Sequence, residues 1–474
     1  MHKFLIILCA VICAAGMVFA QDTAGAPGIG DDYFPELGNG GYDTQHYRLD
    51  LAWDDDSNNL SGTTTISASA MHDLTAFNLD FLGFDISEIT VNGQPAEFDR
   101  KGRELVITPP KTLQTGVDFT VAISYSGVPG EGVPNYYDVF ARGWTRHDDG
   151  VYVASEPNGA AYWYPVNDHP LDKAAYTFEI TVPQPYVVAA NGILENTVED
   201  GDRVTYTWEA ENPIASYLVT VNIGDFVVDE TTGPGDLPIR NYFPSSIFPQ
   251  GVVTFRPTAK IIEFFSDTFG PYPFEAYGVV VADVRLGFAL ETQTLSLFGR
   301  DAAGGGSRSE NVVAHELAHQ WFGNSVSLAE WKDIWLNEVF ATYAAALWAE
   351  HTAGPEALDN YMRGIYLALA NPLSSNRFVA PGDPPKDDLV NSGVYVRGAW
   401  VLHALRLKVG DEPFFNILRT YYDRYKYSNA TAADFINIAE EISGQQLDEF
   451  FDGWLYAKTV PDVPELDLTP FSND

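Results

Sequence analysis

Two histidines four residues apart with a glutamate between them, His315-Glu316-Leu317-Ala318-His319, are the side chains whose spacing points most directly to chemistry. In a helix, positions i and i+4 share a face, so both imidazoles can turn toward one ion while Glu316 stands beside them to handle a proton. A catalytic zinc of this kind takes three protein ligands and keeps a fourth position open for water. Glu338 offers the third ligand. It lies in Trp335-Leu336-Asn337-Glu338-Val339-Phe340, where a helix, a turn and a second helix can fold the carboxylate back onto the metal. Bound Zn²⁺ brings the pKa of its water down toward about 7 and polarises a carbonyl. Glu316 is then the base that takes the water proton and delivers it to the leaving amine. The expected chemistry is hydrolysis of a peptide bond by a zinc metallopeptidase.

Competing chemistries find little support. Both cysteines, Cys9 and Cys13, fall within the first twenty residues, and no motif suggests a Ser/His/Asp nucleophile. Those residues read as an export signal: Lys3, an apolar run from Phe4 to Ala15, then Val18-Phe19-Ala20 before Gln21. The expected mature chain has no disulfide and no thiolate ligand, so any metal must be held by His, Asp or Glu. No other run approaches the roughly 18 apolar residues of a membrane span, so no stable membrane insertion is expected after signal cleavage. The expected destination is secreted or periplasmic. The sequons at Asn59 and Asn429 matter only where the host glycosylates. The full chain carries 27 basic and 65 acidic residues, a formal charge of −38. That balance repels nucleic acid and anionic lipid and reads as a solubilising surface.

The elements that must position these groups follow from local pattern. At 474 residues the chain has room for two or three domains. After the leader (1–20), residues 21–40 are rich in Gly, Pro and Asp without periodicity and read as a flexible lead-in. From Tyr42, short runs of β-branched and aromatic residues such as His46–Trp53, Gly62–Ala70 and Phe119–Tyr125 recur between turn signals. They predict an all-β domain over 41–229, closed by the Gly/Pro stretch at 231–235. Over 230–470 the period changes to that of helices. Helices are expected near 309–322, 333–351, 355–370, 394–409, 412–426, 431–443 and 446–457, preceded by one apolar strand, Val279–Val284. The fold class is multidomain α+β.

With these motifs in hand, the chain resembles the alanyl aminopeptidase (aminopeptidase N) family of gluzincins, whose signature is HExxH, eighteen residues and Glu. Here Gln320 to Asn337 separate His319 from Glu338. Trp331–Tyr343 is similar to the family's segment carrying the last zinc ligand, with Val339 where a small residue is usual. The resemblance implies an N-terminal saddle or sandwich of β-structure and a mainly α, thermolysin-like zincin catalytic domain. It also implies further site residues. Phe288-Ala289-Leu290-Glu291-Thr292 matches the family's G-A-M-E-N motif, which implies Glu291 as the anchor for a substrate α-ammonium and Ala289 as a substrate-binding residue. Thr292 departs from the usual Asn. Glu156, in Ser155-Glu156-Pro157, corresponds to a second ammonium anchor. Val394-Tyr395-Val396-Arg397-Gly398 resembles the Y-x-K-G segment, with Tyr395 donating to the oxyanion and Arg397 in place of Lys. Family members commonly continue into a further β domain and a large helical domain, so a chain ending at Asp474 implies a more open cleft.

The expected function is a zinc-dependent aminopeptidase acting on peptides with a free N-terminus. The alternatives are a zinc endopeptidase with an open cleft and an inactive peptide-binding protein that keeps the fold. The preferred N-terminal residue, substrate length, oligomeric state and pH optimum leave no trace in the sequence.

Overall fold

The computed structural model describes residues 24–134, 143–371 and 378–469; the leader with Cys9 and Cys13 lies outside them. The first long strand, Tyr42–Asp54, alternates buried and exposed positions because its apolar residues recur at period two, as a strand with one covered face requires. It pairs antiparallel with Asn59–Ala70 and parallel with Ala174–Pro183, at the middle of an eight-stranded sheet. A four-stranded sheet gathers Gly143–His147, Gly150–Ala154, Val187–Ala190 and Val221–Gly224, and a three-stranded sheet completes the N-terminal unit. A buried triad ties the three-stranded sheet to the segment that leads into Ala174–Pro183. Arg103 donates to Asp80 at 2.8 Å and to Asp168 at 3.1 Å, and all three side chains are at most 2% exposed.

The second unit opens with a five-stranded sheet ordered Phe226–Thr232, Pro238–Pro244, Tyr277–Ala282, Ser296–Gly299, Ala289–Leu290. Its three inner strands run parallel and are almost wholly buried, which is why Tyr277–Ala282 reads as an unbroken apolar run rather than an alternation. Helices follow at Ser307–Ala318, Trp335–Ala353, Pro355–Ala370, Ser392–Val409, Asp411–Tyr425, Ala432–Ser443 and Asp448–Leu455. Trp335–Ala353 is apolar around most of its circumference and forms the middle of the helical layer.

Three expectations need correction. The boundary expected at 229/230 falls inside a strand: Phe226–Thr232 pairs along its whole length with Pro238–Pro244, so it belongs to the second unit. Turn residues at 231–235 mark that hairpin, not a linker. The lead-in expected to be flexible is tied down in its described part. Phe34 and Leu37 are buried, Gly25 N–H donates to Ala76 O, and Asn39 N–H donates to Asn167 Oδ1 at 2.6 Å. Asp31 joins the two units, accepting from Trp331 N–H at 2.7 Å and contacting the His169 ring at 3.3 Å. Polar and Gly-rich composition misled here because the segment is ordered by partners distant in sequence. Finally, the helix expected over 309–322 ends at Ala318. Its last residues tighten into i→i+3 turns, Gln320 to Leu317 and Trp321 to Ala318, before Gly323 at φ 123°.

Candidate active site

His319 sits one residue past the helix Ser307–Ala318 but keeps helical backbone angles, and its N–H still bonds His315 O. The i, i+4 relation therefore survives, and the two Nε2 atoms lie 3.1 Å apart. The next long helix brings Glu338 in its first turn, with Oε2 3.3 Å from His315 Nε2 and 3.6 Å from His319 Nε2. The three donor atoms lie within 4.8 Å of one another, the span a single ion of zinc size requires. Outer contacts aim the rings. His319 Nδ1 donates to Phe322 O at 3.1 Å, which reserves Nε2 for a metal, and Thr342 Oγ lies 3.5 Å from His315 Nδ1. Two imidazoles and a buried carboxylate are the donor set of a catalytic zinc, so the residues present fit the ion.

Three further carboxylates converge on this point. Glu316 forms a group of metal-ligand dimensions with His319 and Glu291, as Glu156 does with Glu291 and Glu338. Glu156, Glu291 and Glu316 are each at most 5% exposed. Glu156 arrives from the N-terminal unit, just beyond the strand Gly150–Ala154. Glu291 follows the edge strand Ala289–Leu290, and its own carbonyl is pinned by Gln320 Nε2 at 3.1 Å and Asn324 Nδ2 at 2.6 Å. Burial pushes the carboxyls of Glu156 and Glu316 well above the usual range; neighbouring Glu291 and Glu338 add to the shift in both. Burial also raises Glu291. Burial disfavours charge on His319 too, but Glu291, Glu338 and Glu316 outweigh it and raise the imidazole to about 10. Glu338 opposes its own desolvation through the two histidines and falls to about 2. Such crowding of carboxylates in a buried site calls for cations.

Ala289 pairs with Phe298 through one edge of its strand, and among the described residues no strand covers the other edge. Thr292 does not face the site as a recognition group. It is fully buried and its hydroxyl donates to Leu295 O, closing the turn that carries Glu291. Tyr395, near the start of the helix Ser392–Val409, stands with its ring 5.9 Å from that of His315. Burial first and then the surrounding carboxylates keep its hydroxyl protonated, hence a donor, throughout the neutral range. Arg397, without an expected role, is buried and donates to Trp454 O and Gly453 O at the end of the last long helix.

Sequence reasoning passed over Tyr217. It is fully buried, accepts from Asn337 Nδ2 at 3.0 Å, and so fastens the N-terminal unit to the residue preceding Glu338. Nothing in its local sequence distinguishes it from other core tyrosines. Gln320 and Asn324, which hold the Glu291 loop, had a weak signal in their closeness to His319.

The comparisons with known proteins agree with this geometry. Residues 253–454 match the peptidase family M1 domain and residues 43–218 the peptidase M1 N-terminal domain. The chain belongs to peptidase family M1. An M1 zinc metallopeptidase mutant from Deinococcus radiodurans, solved with a Tyr-Ser-Ala substrate, is 31% identical with a TM-score of 0.83, over 93% of this chain and 100% of that one. The M1 zinc metallopeptidase of the same organism superposes with a TM-score of 0.81 at 31% identity, covering 92% of this chain and 99% of that one. Aminopeptidase M1-B of rice, Oryza sativa subsp. japonica, is 29% identical over 415 residues, 80% of this chain and 46% of that protein. The chain spans about half the length of the curated relatives it matches.

Proposed function

We propose that this chain is a zinc aminopeptidase that removes N-terminal residues from peptides. The observation that carries the reading is the placement of Glu156 and Glu291. Each is buried, each has an oxygen, Oε1, with no hydrogen-bond partner among the described residues, and both share a cation-sized group with Glu338. An α-ammonium placed there satisfies both carboxylates and sets the first peptide bond beside His315, His319 and Glu338. A relative of the same fold, solved with a Tyr-Ser-Ala substrate, supports the substrate class.

When bound, zinc supplies Lewis acidity and a water of lowered pKa. The chain's own residues do the rest. His315, His319 and Glu338 hold the ion. Glu316 takes a proton from the attacking water and returns it to the departing amine. Tyr395 donates to the developing oxyanion, and the outer edge of Ala289 offers main-chain pairing to an extended peptide. An N-acylated peptide leaves two buried carboxylates unpaired, a penalty that discriminates more strongly than any apolar pocket.

Export to the periplasm or exterior rests on the leader-like residues 1–20; Edman sequencing of the exported chain from Gln21 onward tests it. The activity is tested on paired peptides, one with a free and one with an acetylated amino terminus, with zinc and then with a chelator. Chelator-sensitive cleavage restricted to the free amine supports the reading. Equal cleavage of both makes the chain an endopeptidase, and cleavage of neither leaves a binding protein.

A further inference from the structure

The ammonium pocket has a second property, whose competition with substrate rests on the aminopeptidase reading. Four carboxylates, Glu156, Glu291, Glu316 and Glu338, meet at one buried point. Burial favours the protonated forms of Glu156, Glu291 and Glu316, so a cation entering here displaces protons. The donor geometry is not diffuse. One oxygen each of Glu156, Glu291 and Glu338 lie within 4.8 Å of one another, and Glu338 also belongs to the histidine group, so two cation positions adjoin across a shared carboxylate. Glu156 and Glu291 each bring one carboxylate oxygen to this space, and each has a buried Oε1 with no hydrogen-bond partner among the described residues. Their residues are 5% and 3% exposed.

We propose that Glu156, Glu291 and Glu338 form a second divalent-cation site beside the zinc position, selective for a hard cation such as Mn²⁺, and that this ion and the substrate ammonium exclude one another. The first position has two imidazole nitrogens and suits zinc. The second has carboxylate oxygens alone, the donor set of manganese or calcium. Glu156 and Glu291, which pair with a monovalent ammonium, pair more strongly with a divalent ion, so the pocket takes substrate only when that ion leaves. Excess cation is then a competitive brake on turnover.

The test uses the full-length protein loaded with one equivalent of zinc, dialysed against MnCl2, with zinc and manganese both counted per chain. A second ion should bind, zinc should stay, and Glu156→Gln and Glu291→Gln should each weaken manganese uptake at least tenfold. Bound Mn²⁺ should be displaced by an amino-acid amide with a free amine and not by its N-acetyl derivative. No uptake at millimolar manganese, uptake unchanged in both variants, or manganese entering only as zinc leaves would each overturn the second site. Manganese-free hydrolysis of the paired peptides, run on the same preparations, reports separately on the aminopeptidase reading. Uptake lost in the two variants sustains the site even where that reading fails.

Discussion

Replacing Glu291 by Gln isolates the ammonium anchor from everything else the residue does. Its carbonyl is fixed by Gln320 and Asn324, and Thr292 closes the adjoining turn, so the loop should stay in place when only the side-chain charge is removed. What is lost is a charge-assisted hydrogen bond in a site 3% exposed, worth about 1.5–3 kcal/mol. At 1.4 kcal/mol per decade that is roughly a 10–150-fold fall in kcat/KM on a free-amine peptide. One effect opposes it. Glu291 is the first of the neighbouring charges that hold the Glu156 carboxyl up, so its removal lets Glu156 ionise more readily and carry part of the ammonium. The expected loss therefore lies in the lower half of that range. Substituting Glu156 as well should cost more than the two single losses added together, because each anchor partly covers for the other. The assay is kcat/KM on a tripeptide and its N-acetyl form, with zinc content checked at one per chain. Inhibition constants of an amino acid and its N-acetyl derivative serve where the acetylated peptide is not cleaved. Equal losses on free and acetylated ligands would refute the anchor.

Glu316→Gln should retain zinc and lose at least a thousandfold in kcat, since only the proton carrier is removed; metal analysis beside single-turnover rates checks this, and retained turnover sinks Glu316 as the base. Gly398→Ala should destabilise by about 1–3 kcal/mol, because a Cβ there would stand 2.1 Å from Val339 Cγ2. Adding Val339→Ala should restore most of the urea midpoint, and no recovery removes the clash as the cause. Arg103→Ala leaves Asp80 and Asp168 as unpaired neighbours in the core and should cost about 3–5 kcal/mol in chemical denaturation. Asp172 gives a pH signature: burial raises its carboxyl to about 7 from an ordinary 3.8. Between those values the folded chain keeps a proton the unfolded chain has released, so the stability from Asp172 is full at acid pH and fades as pH rises through 7. The stability of wild type relative to Asp172→Asn should fall by about 2–4 kcal/mol from pH 4 to pH 8, and a flat difference refutes the assignment.

The chemistry of the first metal position was legible because it is local. His315 and His319 share a face by helical period alone, and Glu316 comes with them. Helix positions were also legible, since apolar periodicity in segments such as Trp335–Ala353 and Asp411–Tyr425 is a local property. Glu291, Glu156 and Tyr395 were reached only through family resemblance, for their neighbours in sequence say nothing of the zinc position. What the sequence hid is long-range. The segment around Asp31 looked unstructured because its order comes from His169 and Trp331, partners 138 and 300 residues away. The strand Phe226–Thr232 looked like the end of the β domain because pairing, not composition, assigns a strand to its sheet. Tyr217 looked like any core tyrosine until the fold set its hydroxyl against Asn337. Sequence by itself determined which groups could bind a metal and move a proton. Only the tertiary structure decided that four carboxylates from four separate segments share one buried pocket, because burial and like-charge crowding are properties of where segments of the chain meet.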